Sequence, residues 1–371
     1  MKTNSEGTSY IIDEKRKKFL RIGIILFALV ISYALNNYSA HFNSITQDVI
    51  INHFSFRSAD SNIVLITINK NDYSELGGYP LSREYYARLI NKLTALNVKA
   101  IGIEIFLSDF DSIRTAIDSE LIDSIKRSKH TVLASIIIED QYGYNSLQLP
   151  SVKQKDNSVL TGHVNYLEKN GFYVPTNIIR GNYIEVPFAI KLTGKSIDEN
   201  LVKINFHSKW AEYKKYSLVE FLNKSEGSSN ELFSLKDKFA IIGVIDSAKS
   251  KPVHAPEGII PGLGLQAQFL DNVINDSYIN YNQNLNITFA MIALLLLIVF
   301  VPIKIRFHLI LIFYFLFYVI VSIAIYNLFF IEMNHFIILI AIGLMIVLEI
   351  YFALNHSRHF LSDEPSRNLY E

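Results

Sequence analysis

The sequence predicts an α/β extracytoplasmic domain with a mostly parallel sheet, plus four transmembrane α-helices. Three observations predict this fold class. β-branched apolar runs alternate with amphipathic stretches in the middle of the chain, four apolar stretches lie near its ends, and the loops between those stretches differ in positive charge.

Composition excludes several classes of function. The 371 residues carry only 19% charged side chains, fewer than the ~25% typical of soluble proteins. Lys plus Arg equals Asp plus Glu at 35 each, so the basic surface of a nucleic-acid-binding protein is not expected. The absence of Cys excludes disulfides and thiol catalysis.

The first apolar stretch predicts an anchor at residues 19–38, after a cytoplasmic tail at 1–18. It follows the basic cluster Lys15, Arg16, Lys17 and Lys18. The alternative is a cleaved signal peptide, but Tyr38 stands where a small residue is needed for cleavage, so the uncleaved anchor is favoured.

Three further spans are predicted near the C-terminus, at 286–302, 308–330 and 335–354. The loop with Lys304, Arg306 and His308 is basic, whereas the next loop is not. Basic loops stay in the cytoplasm. We therefore expect a multi-pass protein of the bacterial inner (plasma) membrane, in contact with the lipid bilayer. Both termini, including the tail at 355–371, would be cytoplasmic, and residues 39–285 would lie outside.

The outer domain begins with a regular strand and helix alternation. The predicted elements are a strand at 63–68, a helix from Ser82 to Leu96, a strand at 99–106, a helix at 113–128 and a strand at 131–138. This order implies right-handed crossovers and a largely parallel sheet.

The rest of the domain is less regular. Residues 141–182 are predicted as loops and short strands that extend the sheet edge. Later elements are a strand at 201–206, a helix at 218–222, a strand at 238–245 and a helix at 263–274.

Acidic residues follow several predicted strands, and ligands of open parallel sheets bind beyond the carboxyl ends of the strands. The residues concerned are Asn69, Asp72, Glu104, Asp109, Asp111, Glu139, Asp140 and Asp246. The favoured interpretation is that they are solvated and cap helices, as expected where Asp109 and Asp111 precede a helix. The alternative is that they bind a hard cation or a cationic ligand. No metal-binding spacing occurs, so no metal site is predicted.

Arg83 is predicted in the first turn of a helix, where the helix dipole disfavours a cation. It therefore needs a partner. We favour a structural bridge to Glu104 or Asp72, and the alternative is an anionic ligand. The preceding Gly77, Gly78 and Pro80 predict a tight turn with Tyr79 packed beneath it.

Glu349 is an acid inside a predicted span, which suggests a functional or structural role. A contact with another helix and exposure at the interface are both open. Motifs of enzymes are absent: Gly194-Lys195-Ser196 lacks the first Gly of a phosphate-binding loop, and no nucleophile elbow occurs. We therefore expect neither enzymatic activity nor a cofactor.

Two blocks of residues carry a family resemblance. The first runs from Ile68 through Leu76-Gly-Gly-Tyr-Pro-Leu-Ser-Arg83 to Ala100-Ile-Gly-Ile-Glu-Ile-Phe106, and the second comprises Leu201–Phe206, Phe239–Val244, Pro256, Pro261-Gly262 and Gln266-Ala267. Together they resemble the type-two CHASE extracellular sensory domain, which has one span before it and three after it. Asn69, Tyr79, Leu81 and Glu104 depart from that family's pattern.

The resemblance implies a sensor that relays an unknown signal through its transmembrane helices to a separate membrane or cytoplasmic effector, because no fused effector domain is expected here. The candidate ligand-binding residues are Asp72, Tyr79, Arg83, Glu104, Asp109 and Asp246. A homodimer is left open. The alternative function is a scaffold or assembly subunit of a cell-envelope membrane complex.

Overall fold

A computed structural model describes residues 19–24, 26–28, 30–31, 33–108, 115–128, 130–139, 145–180, 183–224, 234–279 and 307–362. The chain divides into two compact units, Ile51–Asn280 and a second unit of Met1–Ile50 with Tyr281–Glu371. In chain order the elements are α1 (Phe19–Ala28), α2 (Asn36–Phe54), β1 (Ile63–Ile68), α3 (Lys70–Glu75), α4 (Arg83–Ala95), β2 (Ala100–Ile103), α5 (Thr115–Arg127), β3 (Thr131–Glu139), β4 (Asn145–Gln148), α6 (Ser151–Lys155), β5 (Leu160–His163), β6 (Leu167–Glu168), β7 (Phe172–Pro175), β8 (Ile178–Arg180), β9 (Tyr183–Glu185), α7 (Phe188–Thr193), β10 (Leu201–Lys203), β11 (Lys214–Ser217), α8 (Leu218–Asn223), β12 (Phe239–Val244), β13 (Pro252–Ala255), β14 (Gly258–Pro261), α9 (Gly262–Asn275), α10 (Phe307–Phe329) and α11 (His335–Ser362).

The larger unit is built on a seven-stranded sheet. Its order is β11-β1-β12-β2-β3-β4, and β5 also pairs with β3. All of these pairs are parallel except β3 with β4. The predicted α/β fold with a mostly parallel sheet is therefore confirmed.

Helices cover both faces of this sheet. Successive side chains of a strand point to opposite faces, so each strand presents side chains to both sides. On one face, Val64, Ile66 and Ile68 of β1 pack in a core with residues of α4, α5 and α8. On the other face, a Cβ at Gly102 of β2 would lie 2.5 Å from the ring of Phe188 in α7. α9 packs beside α7 against β1 and β12. The side on which a residue lies thus follows from its position along the strand.

Most predicted elements of this unit agree with the structure, and two strands are shorter than expected. β2 ends at Ile103 rather than at residue 106, although the Glu104 N–H still donates to the Ile242 carbonyl at 2.8 Å. β10 ends at Lys203 and belongs to a separate antiparallel sheet with β7 and β6. Polar side-chain contacts replace the expected strand after Lys203.

The middle of the domain extends the sheet as predicted and also forms separate structures. β5 pairs with the first half of β3 and β4 with the second half. β8 and β9 form a two-stranded hairpin of their own, as do β13 and β14.

The smaller unit contains the apolar helices. α10 and α11 are long and apolar enough to cross a membrane, and they match the predicted spans at 308–330 and 335–354. α11 continues to Ser362, so the segment predicted to begin the cytoplasmic tail is helical. α1 is a shorter apolar helix, and the predicted span at 286–302 lies outside the described residues. The arrangement of four spans therefore stays a prediction.

Candidate functional site

The carboxyl ends of three neighbouring parallel strands meet at one edge of the central sheet. Asn69 and Asp72 follow β1, Glu104 follows β2, and Asp246 follows β12. Three further predicted acids lie outside the described residues: Asp109, Asp111 and Asp140. Among the residues that the structure describes, no group of His, Asp or Glu side chains has the arrangement that holds a metal ion.

Asp72 is occupied by bonds within the domain. Its Oδ2 accepts a hydrogen bond from the Asn69 N–H at 2.7 Å, which completes a capping box at the start of α3. Its Oδ1 accepts from the Ser217 hydroxyl and from the Val219 N–H. The buried carboxylate therefore joins the end of β1 to the junction of β11 and α8.

Arg83 and Asp118 form a buried ion pair at the first turns of two adjacent helices. Nη1 of Arg83 donates to Oδ1 of Asp118, and the two side chains are 11% and 1% exposed. Nζ of Lys155 lies 3.7 Å from Oδ2 of Asp118, an oxygen that accepts no hydrogen bond from any residue that the structure describes. One buried carboxylate is thus flanked by two cations.

The partner of Arg83 is therefore Asp118, and not Glu104 or Asp72 as the sequence suggested. Arg83 begins α4, which packs along α5, where Asp118 lies in the first turn. Glu104 shares its strand parity with Gly102, so its side chain extends to the opposite face of the sheet. The oxygens of Asp72 are already engaged.

A tight loop leads into α4. Gly77 and Gly78 have φ angles of 97° and 106°, a backbone region that residues other than glycine rarely adopt. Tyr79 is 40% exposed, so it does not pack beneath the turn as predicted. Its ring instead contacts the ring of Tyr73, with centroids 5.6 Å apart, and Nζ of Lys249 lies 5.3 Å from its centroid.

This loop, the first turn of α4 and the segment after β2 enclose a pocket of about 710 Å³. Four aromatic side chains contribute to its wall, and the Arg83–Asp118 pair lies in the same wall. The lining residues that matter most here are Tyr79, Arg83, Tyr85, Tyr86, Phe106 and Asp118. The structure thus brings the predicted site residues Tyr79 and Arg83 together in one cavity, beyond the carboxyl ends of the strands.

Glu104 lies partly buried on the other face of the same edge. A Cβ at Gly243 would lie 2.7 Å from its Oε2, and one at Gly262 would lie 3.2 Å from its Oε1, so only glycines leave room for this carboxyl. Burial raises the pKa of Glu104 to about 8. No described residue gives its carboxyl a hydrogen bond or a charge that would offset this effect.

Asp246 organises the turn that follows β12. Its Oδ1 accepts from the Ala248 N–H at 3.1 Å, and its carbonyl accepts from the N–H groups of Lys249 and Ser250. Lys251 projects from the same turn, with Nζ 5.4 Å from the ring centroid of Tyr166. Asp246 therefore positions two lysines, each over a different tyrosine ring.

A buried polar cluster behind the sheet was missed in the sequence. Asp271 in α9 accepts from Tyr213 at 3.1 Å and from the Asp60 N–H at 2.9 Å, and it lies 3.3 Å from Nε2 of His207. Asn272 pairs with both backbone groups of Asn205. Polar residues at positions 268, 271, 272 and 275 share one face of this otherwise apolar helix, and this spacing was the available signal.

Glu349 makes a contact between helices of the smaller unit. Nη2 of Arg21 in α1 lies 2.8 Å from its Oε1, with side-chain exposures of 8% and 28%. Of the two alternatives left open by the sequence, the helix contact is therefore the one observed.

Comparison with known proteins gives one match. The family model of the CHASE2 domain matches residues 24–303. No curated protein and no solved structure matches the chain.

Proposed function

Because the chain belongs to the CHASE2 domain family, a family of extracellular sensory domains, we propose that it is a membrane-anchored sensor that binds a small ligand in the pocket beside Arg83. The observation that carries this proposal is the cavity itself. Its volume of about 710 Å³ lies within the range of small-molecule sites.

The lining suits a binding site better than a packing defect. Aromatic rings offer a large contact area, and one buried ion pair is placed among them. Polar groups placed among aromatic side chains can orient a small ligand. We infer that the ligand is bound and released unchanged, as membership of a sensory domain family favours.

A contiguous set of contacts leads away from the pocket. Tyr79 lines the cavity and contacts Lys249, which belongs to the turn that runs directly into β13. After β13, the Pro256 carbonyl accepts a hydrogen bond from Asn52 of α2 at 2.6 Å. α2 follows the N-terminal apolar helix in the chain, so this route joins the pocket to a helix that leads toward the predicted first span.

Relay along this route requires two states that the ligand binds unequally. In our proposal a ligand that moves Tyr79 changes the position of Lys249 and so the strain on the β13–β14 hairpin. The altered hairpin shifts α2 and is sensed by a separate membrane or cytoplasmic effector.

Ligand binding is tested on the full chain in nanodiscs by thermal unfolding against a metabolite panel. We expect at least one compound to raise the Tm of the wild type but not that of Tyr79→Ala. The matched control is Tyr166→Ala, because Tyr166 also carries a lysine over its ring but lies outside the cavity. A panel in which every active compound shifts both variants equally would argue against this site.

The relay is tested with the two neighbouring lysines. Lys249→Gln should leave the Tm shift in place but abolish ligand-dependent changes in hydrogen exchange at residues 252–261. Lys251→Gln, which removes the equivalent contact with Tyr166, should retain them. Loss of the exchange response in both variants, or in neither, would exclude Tyr79–Lys249 as the route.

Co-purification from native membranes then identifies the effector, and recovery only with export or polysaccharide machinery would favour the scaffold function instead.

A further inference from the structure

We propose that the ligand of this pocket is a small organic acid, whose carboxylate or phosphate binds the guanidinium of Arg83 while its apolar body contacts the aromatic wall. This inference rests on the proposed function, because it names the class of ligand for the same cavity. Three independent observations support it.

The first observation is the unused hydrogen-bonding capacity of Arg83. A guanidinium has five N–H donors in a planar fork. Among the described residues only Asp118 bonds to it, through Nη1. None of its other nitrogens is both fully buried and without a hydrogen-bond partner, so these nitrogens reach solvent in the cavity. They match the two oxygens of a carboxylate or a phosphate.

The second observation is the local balance of charge. Arg83 borders the cavity with a side chain that is 11% exposed, whereas the carboxylate of Asp118 is only 1% exposed, so the charge presented to the cavity at this point is positive. Glu84 also borders the cavity, but it is exposed and therefore screened by solvent. A bound anion would be attracted by the guanidinium in a partly desolvated site, whereas a cationic ligand would be repelled by it.

The third observation is the polarity of α4. Its N-terminus faces the cavity, and the Ser82 side chain makes no capping hydrogen bond. The first N–H groups of a helix lack intrahelical acceptors and favour negative charge. They therefore reinforce the preference set by Arg83.

Asp118 keeps the guanidinium in place rather than blocking it. The carboxylate is 1% exposed and accepts a hydrogen bond from Nη1, so it restricts the rotamers of the arginine before the ligand arrives. Preorganisation of this kind lowers the entropy lost on binding. Tyr79 and Phe106 offer the wall for the apolar part of the ligand.

The test uses four phenyl probes of matched size on the full chain in phosphatidylcholine nanodiscs: 3-phenylpropionate, phenethyl phosphate, the neutral 3-phenylpropanamide and the cationic 3-phenylpropylamine. Binding is measured by saturation-transfer NMR and competition. We expect one or both acids to bind at least tenfold more tightly than the amide, the magnitude of a charge-assisted hydrogen bond, and the tighter of the two distinguishes a carboxylate from a phosphate ligand.

Because Arg83→Gln alone would leave Asp118 buried without its partner, the main variant is the double change Arg83→Gln with Asp118→Asn. It should lose the acid preference, and Arg83→Lys should weaken it by losing the fork. Arg127→Gln, an exposed arginine of α5 outside the cavity, should bind as the wild type does.

Two adverse outcomes are distinguishable. If the amide or the amine binds as tightly as the acids, and binding is lost in Tyr79→Ala, the pocket is a ligand site but the acid preference is wrong. If no probe binds in a manner that depends on Tyr79, both the acid preference and the proposed role of the pocket fail.

Discussion

Arg83 donates a hydrogen bond to Asp118, which joins the first turn of α4 to the first turn of α5 in the wall of the pocket. The two residues are 35 positions apart in the sequence, and their side chains are only 11% and 1% exposed. The pair therefore has a structural role as well as a place in the candidate site.

Breaking this pair should destabilise the domain strongly. Arg83→Gln leaves a buried carboxylate without its nearest cation, and such changes typically cost about 3–5 kcal/mol. The double change with Asp118→Asn should cost less than the sum of the single changes, because it removes both charges together. The free energy of unfolding from denaturant titration measures this coupling. Additive costs would show that the pair contributes nothing, and Arg127→Gln should stay within about 0.5 kcal/mol of the wild type.

Glu104 predicts a pH dependence of stability. Its folded-state pKa of about 8 lies above the unfolded value of 4.5, so the folded state holds a proton that the unfolded state releases. Its contribution is complete below about pH 4.5 and is lost as the pH rises toward 8, by a few kcal/mol in total. Glu104→Gln should remove this loss.

The measurement is thermal unfolding of both proteins between pH 4.5 and 8.5. The Tm of the variant should rise relative to that of the wild type as the pH increases. A constant difference across this range would contradict the pKa. Glu84→Gln, which changes an exposed carboxylate, is the matched control.

Asn272 should be important for the buried polar cluster. Its side chain accepts from the Asn205 N–H at 2.7 Å and donates to the Asn205 carbonyl at 2.9 Å. Asn272→Ala removes the side-chain acceptor of the buried Asn205 N–H and one of the two amide donors to the Asn205 carbonyl, the other being Gln268, and should cost about 1–3 kcal/mol of unfolding free energy. Asn275→Ala, one turn further along α9 and exposed, should cost less than about 1 kcal/mol. Equal costs would mean that the cluster is already solvated.

The Arg21–Glu349 pair should stabilise the packing of α1 on α11. Glu349→Leu removes the carboxylate that lies 2.8 Å from Nη2 of the buried Arg21, at a cost of about 3 kcal/mol. The exchange Arg21→Glu with Glu349→Arg restores opposite charges and should recover much of the loss. The half-life of the folded protein in mild detergent reports both effects. A swap that is no better than either single change would exclude a direct pair.

Much of the fold followed from sequence pattern, and the reason lies in the buried strands. The runs at 63–68 and 238–245 are continuous and apolar because both of their faces are covered, which makes them recognisable without tertiary information. β10 was overestimated because the residues after it bond to side chains of α9 instead of continuing a ladder. The backbone of Asn205 pairs with the Asn272 amide, and the ring of His207 contacts the Gln268 amide.

The site was predictable only in part. Tyr79 and Arg83 were found because Gly-Gly-Tyr-Pro predicts a turn directly before a helix, and a cation in the first turn of a helix needs a partner. Asp118 was not found, because its role depends on how α4 packs against α5, and a single acid in a predicted helix carries no sign of that contact. The expected pairing with Glu104 was wrong because it neglected which face of β2 that residue occupies.

The placement of Glu104 and Arg83 on opposite sides of one sheet edge has an evolutionary consequence. Strand parity alone decides which side an acid after β2 reaches, so exchanging Glu104 for Asp preserves the arrangement, whereas inserting or deleting one residue in β2 reverses it. Selection on this segment should therefore tolerate changes of residue type at position 104 more readily than changes of length before it.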